Sequence, residues 1–183
     1  MGRSRHASKR KRIRPHYYVF CEGRTEETYI CFLRSKYRIP IEIVTKVTGS
    51  NISNRLINSH KRGNPIHEKD KDFLVYDGDV LEVLERLQNI ESVTLLVSNP
   101  SIELWFLYHY KNQTAAISTE ECIRQLENRN NNQYRKGVLD KKLHEKLDTR
   151  ISMACNRAEQ SQPFNNPSTN INELIAILEE NSQ

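Results

Sequence analysis

The stretch Phe73-Leu-Val-Tyr-Asp-Gly-Asp79 constrains the fold of this chain more than any other. Four apolar residues bounded by turn signals read as a buried strand of a parallel sheet, and that strand runs straight into two carboxylates separated by one glycine. Open α/β sheets bind their ligands beyond the carboxyl ends of the strands, so Asp77 and Asp79 fall where chemistry is expected. Gly78 is expected to let the backbone turn sharply, bringing both side chains toward one point. Two close carboxylates repel unless a cation lies between them, and oxygen-only ligation suits Mg2+ or Mn2+ rather than zinc. Asp79 also has a purely structural reading, because Asp79-Val-Leu-Glu82 is a capping-box pattern ahead of the apolar positions Val80, Leu84 and Leu87.

Around this strand the chain alternates. Tyr17 to Cys21 is a continuous apolar strand that ends in Glu22-Gly-Arg-Thr-Glu-Glu27. Thr25 is the expected N-cap of the helix that follows, with Tyr29, Ile30, Leu33 and Tyr37 on its buried side. If the strands are parallel, Glu22 shares the sheet end of the two aspartates. Glu26 suits either the positive end of that helix or the same cluster. Ile41 to Val47 reads as a second strand with a helix over residues 51–61, stopped by Gly63-Asn-Pro65. Phe73 to Tyr76 with a helix from Val80 to Gln88 comes third, and Val93 to Val97 fourth. This succession calls for an α/β fold with a doubly wound, mostly parallel four-stranded sheet and helices on both faces.

The fourth strand enters Ser98-Asn-Pro-Ser-Ile-Glu-Leu-Trp-Phe-Leu-Tyr-His109. Asn99 is placed to cap a helix and Pro100 to begin it. That helix is apolar nearly all round and therefore buried, except for Glu103. A buried carboxylate needs a partner or a metal, since an unpaired charge there costs several kcal/mol. His109 is read as packing locally, and His60 and His67 as surface residues. Beyond Thr114 the chain turns polar and helical: residues 119–127, 139–147 and 151–159 read as helices, and Thr169 caps a last one carrying Leu174, Ile175, Ile177 and Leu178. The expected division is a basic arm over residues 1–16, an α/β core over 17–112 and a helical extension over 113–183 packed on it.

Charge is unevenly placed. Lys and Arg number 28 against 23 Asp and Glu, but residues 1–16 hold seven cations and no acid, which leaves the remainder at 21 against 23. An arm of that composition is expected to be disordered and to contact nucleic acid or another acidic surface through Arg10, Lys11, Arg12 and Arg14, the alternative being a tail that only solubilises the chain. Cys21, Cys31, Cys122 and Cys155 show no ligand spacing, so zinc and disulfides are not expected. With no membrane-length apolar run and no secretory leader pattern, a cytoplasmic protein is expected. The absence of a G-x-x-x-x-G-K loop excludes P-loop ATP hydrolysis by this chain.

Taken in order, Cys21-Glu-Gly-Arg-Thr-Glu-Glu-Thr-Tyr29, the Asp77/Asp79 pair, Ser98-Asn-Pro100 through Glu103-Leu-Trp105 to His109, and Asn166-Pro-Ser-Thr169 resemble the signatures of RloB-like proteins. The resemblance implies a divergent Toprim-type domain, related to nucleases of the OLD group and found in prokaryotic defence loci, often beside an AAA-type or ABC-type ATPase. It carries Glu22, Asp77 and Asp79 over as the catalytic, Mg2+-holding carboxylates, with Glu26 and Glu103 completing the metal ligands. Two positions depart from the family pattern: glycine between the aspartates, where a larger polar residue is expected, and Ile102, where an aromatic is common. The competing function, from a different class, is a non-catalytic sensor or regulatory subunit that uses the same sheet to bind a nucleotide or the partner ATPase.

Overall fold

A computed structural model describes residues 15–182. The arm residues Arg10, Lys11, Arg12 and Arg14 therefore lie outside the described residues. Thirteen elements follow in chain order: β1 (Tyr17–Cys21), α1 (Arg24–Tyr37), β2 (Ile41–Val44), α2 (Asn54–Lys61), β3 (Lys71–Asp77), α3 (Leu81–Gln88), β4 (Thr94–Asn99), α4 (Ile102–Tyr108), α5 (Thr119–Arg129), α6 (Lys141–Thr149), α7 (Ile151–Glu159), β5 (Ser168–Thr169) and α8 (Ile171–Asn181).

The sheet order is β2-β1-β3-β4-β5, with β1 to β4 parallel and β5 antiparallel to β4. Alternation along the central strands divides the core into two layers. Tyr17, Val19, Cys21, Phe73 and Val75 pack with α1, α4 and the C-terminal helices, whereas Tyr18, Phe20, Leu74 and Tyr76 pack with Ile57 of α2 and Leu87 of α3. The first crossover runs outward from β1 to β2 over one face. The later ones run the other way over the opposite face. The strand order thus reverses between β1 and β3, and that reversal makes the crevice where open α/β sheets take their ligands.

The sheet has five strands rather than the four expected. The fifth is the Ser168–Thr169 pair, opposite Asn99 and Ser98, and Asn170 beside it donates to the Leu95 carbonyl and accepts from the Val97 amide at 2.9 and 2.7 Å. Two polar residues carry no periodicity, so they read as loop and cap. The caps also differ. Gly23, not Thr25, is the N-cap of α1; Ser101, not Asn99, precedes α4; and Val80, with no side-chain cap bond, precedes α3, so Asp79 caps nothing. Helix α2 begins at Asn54, capped by Ser53, because Thr48 to Asn51 form a turn. Strand β2 ends at Val44, where Lys46 takes a left-handed backbone and turns the chain.

Among the described residues all four cysteines are free, and no helix is long and apolar enough to cross a membrane. His109 is buried with Nδ1 2.9 Å from the Trp105 carbonyl, as its local reading anticipates, and burial holds its pKa down at about 4.

Candidate active site at the sheet switch point

The site is built from three strand ends. Because β1 and β3 are parallel and paired from Tyr17 with Lys71 to Cys21 with Val75, Glu22 leaves the sheet beside Asp77. Burial raises the Glu22 carboxyl above its ordinary range; the Asp77 amide lowers it and the charge on Asp79 raises it further. Asp77 is half-buried and its Oδ1 accepts from the Ile102 amide at 3.0 Å. It caps α4 from another strand, which is why Ser101 needs to supply no cap bond. Burial first, then the charges of Glu26, Glu103 and Glu22, raise the Asp77 pKa to about 8 against that amide.

Gly78 follows with its amide donating to the Ser98 carbonyl at 2.9 Å. Glycine is needed there for space and not for a left-handed turn. A Cβ at this position would stand 2.7 Å from Val97 Cγ1 and 2.9 Å from Asn99 Cβ. The next residue, Asp79, is exposed at the mouth of the crevice.

Glu26 and Glu103 enter from helices on the same side. Glu26, 5% exposed, folds back over the N-cap so closely that a Cβ on Gly23 would lie 2.9 Å from its Oε2. Burial raises its pKa, the Glu26 and Gly23 amides lower it, and Glu103 and Glu22 raise it again. Glu103 is 1% exposed and fully engaged. Ser101 Oγ donates to its Oε2 at 2.7 Å, Tyr134 OH donates to its Oε1 at 2.8 Å, and Lys136 Nζ stands 3.8 Å from Oε1.

Tyr134, Lys136 and Ser101 are the site residues that sequence reasoning missed. Gly137 N–H donates to Thr25 Oγ1 at 3.0 Å and the Thr28 hydroxyl donates to the Gly137 carbonyl at 3.1 Å, so the turn from Tyr134 to Gly137 is fastened to the start of α1. Thr25 is thus a docking point rather than a cap. A separation of 112 residues hides such a pairing from a single sequence.

The structure therefore brings Glu22, Glu26, Asp77 and Glu103 within mutual electrostatic reach, with Asp79 at the rim facing Glu22. Their donor set is oxygen only and carries a large excess of negative charge, which fits a hard divalent cation. The shell is open: among the described residues no three His, Cys, Asp or Glu side chains gather closely enough to enclose an ion. A cleft of about 800 Å³ runs from Asp77 and Asp79 past Ile117 and Lys136 to Phe164. A cavity of about 850 Å³ opens at the opposite end of the sheet beside Tyr17 and Tyr37, where parallel sheets do not place chemistry.

Fold and site together define an α/β protein with an acidic switch point, closed from one side by a helical C-terminal half. The family described as RloB-like protein matches residues 17–178, and the chain belongs to the RloB-like family. No curated protein and no solved structure matches it.

Proposed function

We propose that the chain is a Mg2+- or Mn2+-dependent nuclease of Toprim type that hydrolyses phosphodiester bonds of DNA or RNA in prokaryotic anti-phage defence. The observation that carries the reading is the crowding of buried and half-buried carboxylates at the switch point, where among the described residues Lys136 alone forms an ion pair with any of them. Burial first, and then the neighbouring carboxylates, raise the pKa of Asp77, and a cation held among these groups relieves both the desolvation and the repulsion. Glu22, Asp77 and Asp79 would hold the ion, with Glu26 and Glu103 as further ligands. When bound, the ion polarises the phosphoryl group and lowers the pKa of an attacking water.

The chain's own side chains account for the rest. Glu22, partly open to solvent with its pKa raised, is suited to move a proton at the attacking or leaving oxygen. The Lys136 ammonium lines the same cleft as Asp77 and Asp79 and is suited to pair with a phosphate there. Ser101 and Tyr134 fix the Glu103 carboxylate in one orientation. The defence role and the partner AAA-type or ABC-type ATPase rest on the family alone.

Cleavage assayed with and without the co-expressed ATPase tests this proposal. Nicking or cutting is expected only with Mg2+ or Mn2+, weak in the isolated chain and stronger with the ATPase. Glu22→Gln should lower it by about a hundredfold or more. Cleavage that ignores EDTA, or a Glu22→Gln variant as active as wild type, would overturn the metal-dependent centre, and no cleavage with or without the ATPase would leave the site to the sensor reading.

The seven cations of residues 1–16 make a second expectation. Removing residues 1–14 should weaken nucleic-acid binding and make the dependence of log K on log salt shallower, by about 0.9 for each duplex-DNA phosphate that the arm neutralises. Titrations at three salt concentrations measure this. An unchanged slope would remove the arm from the interface.

A further inference from the structure

We infer that the cleft beside Asp77 and Asp79 holds an unpaired nucleobase against the ring of Phe164, which makes single-stranded nucleic acid, and not intact duplex, the substrate class of the site. The phosphate end of this inference rests on the nuclease proposal; the base end rests on Phe164 itself. Phe164 has φ of 67°, and it is the one aromatic among the non-glycine residues with positive φ in the described chain. For a bulky side chain that backbone is strained, and such strain persists only where the surroundings impose it and a local role keeps it.

The surroundings do impose it. On one side the Phe164 carbonyl accepts from Asn99 Nδ2 at 2.8 Å. Two residues later, Asn166 grips Ile117 twice, accepting from its amide at 2.9 Å and donating to its carbonyl at 2.8 Å. Packing does not explain the residue. Phe164 belongs to neither hydrophobic cluster and is only half-buried, so its ring contributes little to the core. It lines the cleft together with Leu81 and Ile117, on the same opening as Asp77 and Asp79.

An aromatic face and an apolar wall next to a phosphate-processing centre are what a base and its own phosphate require. Only an unstacked base can present its face to a side chain, and a duplex keeps its bases stacked inside. A cleft of about 800 Å³ lies within the range of small-ligand sites and has room for a nucleotide. Stacking is blind to the sugar, so DNA and RNA are both admitted by the same chemistry.

The test uses the full chain and oligonucleotides of one sequence carrying 2-aminopurine, as single-stranded DNA, single-stranded RNA and duplex DNA. The wild type should quench the fluorescence of both single strands and bind them at least about fivefold tighter than the duplex. Phe164→Gly should abolish the quench and weaken single-strand binding by about fivefold or more. Its melting temperature should hold or rise, since glycine accepts the left-handed backbone. Phe164→Trp should keep the quench.

A Phe164→Gly protein that binds and quenches like wild type overturns the inference, as does equal binding of duplex and single strand. Quenching by one sugar type alone supports the stacking site, overturns its indifference to the sugar and names the substrate. The nuclease proposal fails separately: if wild type never cleaves but loses its quench with Phe164→Gly, the stacking site stands on a sensor.

Discussion

Asp77→Asn should yield a folded protein that no longer cleaves and whose melting temperature no longer rises with Mg2+. Asparagine keeps an oxygen for the Ile102 amide, so the cap on α4 survives the exchange. What disappears is the charge. Loss of one ligand charge that a bound ion uses to stabilise the transition state is worth several kcal/mol, a fall in rate of roughly 10²- to 10³-fold or more. Wild type should gain stability from Mg2+ by mass action, and the variant should not.

The same substitution isolates a pH effect in the metal-free protein. Asp77 is raised from 3.8 to about 8 in the folded state, so between those values the folded protein holds a proton that the unfolded chain has lost. Its contribution is complete at low pH and is lost as pH rises through about 8, with a slope of at most about 1.4 kcal/mol per pH unit. Glu22 and Glu26 are shifted in the same direction. In EDTA, wild type should lose more of its melting temperature from about pH 7 to about pH 8 than Asp77→Asn does. The variant retains His109 and the cysteines, so the difference between the two slopes reports Asp77 together with its coupling to Glu22 and Glu26. Parallel slopes, or a Mg2+ shift retained by Asp77→Asn, would take Asp77 out of the centre.

Gly78→Ala should be the most disruptive single methyl at the site. The added carbon meets a branched side chain and the Cβ of Asn99 rather than the free end of a long chain, so β3 and β4 must part between Asp77 and Asp79. Overpacking of this kind costs about 1–3 kcal/mol, or roughly 3–10 °C in a protein of this size. Thermal melts and cleavage assays should fall together. An alanine variant with wild-type melting temperature and activity would show that the crevice tolerates the displacement.

The sheet was legible because its central strands are short apolar runs, each ending in a glycine turn or a helix start, which leaves few alternatives to parallel βα units. The acidic cluster followed from it: once β1 and β3 are parallel, Glu22 and Asp77 must share an end. Glu103 was visible as the one charge in an apolar helix. Its partners were not, because Ser101 looks like a helix-start residue and Tyr134 and Lys136 sit in a polar stretch with no periodicity. The departure at Gly78 was visible too, but its reason, the approach of Val97 and Asn99, exists only across the β3 and β4 pair. Strand β5 escaped for a related reason. Two residues make no pattern, and their pairing is enforced by Asn170 from outside the strand.

The fastening of Gly137 to Thr25 and Thr28 bears on how the centre comes into being. Closing that contact brings together segments more than a hundred residues apart, an entropic cost that only the packed C-terminal helices can offset. During synthesis the residues bearing Glu22, Asp77, Asp79 and Glu103 emerge first, and Tyr134 and Lys136 follow well behind them. Until then Glu103 has neither its phenol nor its ammonium partner. A nascent chain that ends before Tyr134 would therefore carry the acids without the clasp, and the acidic centre is complete only once the C-terminal half has packed.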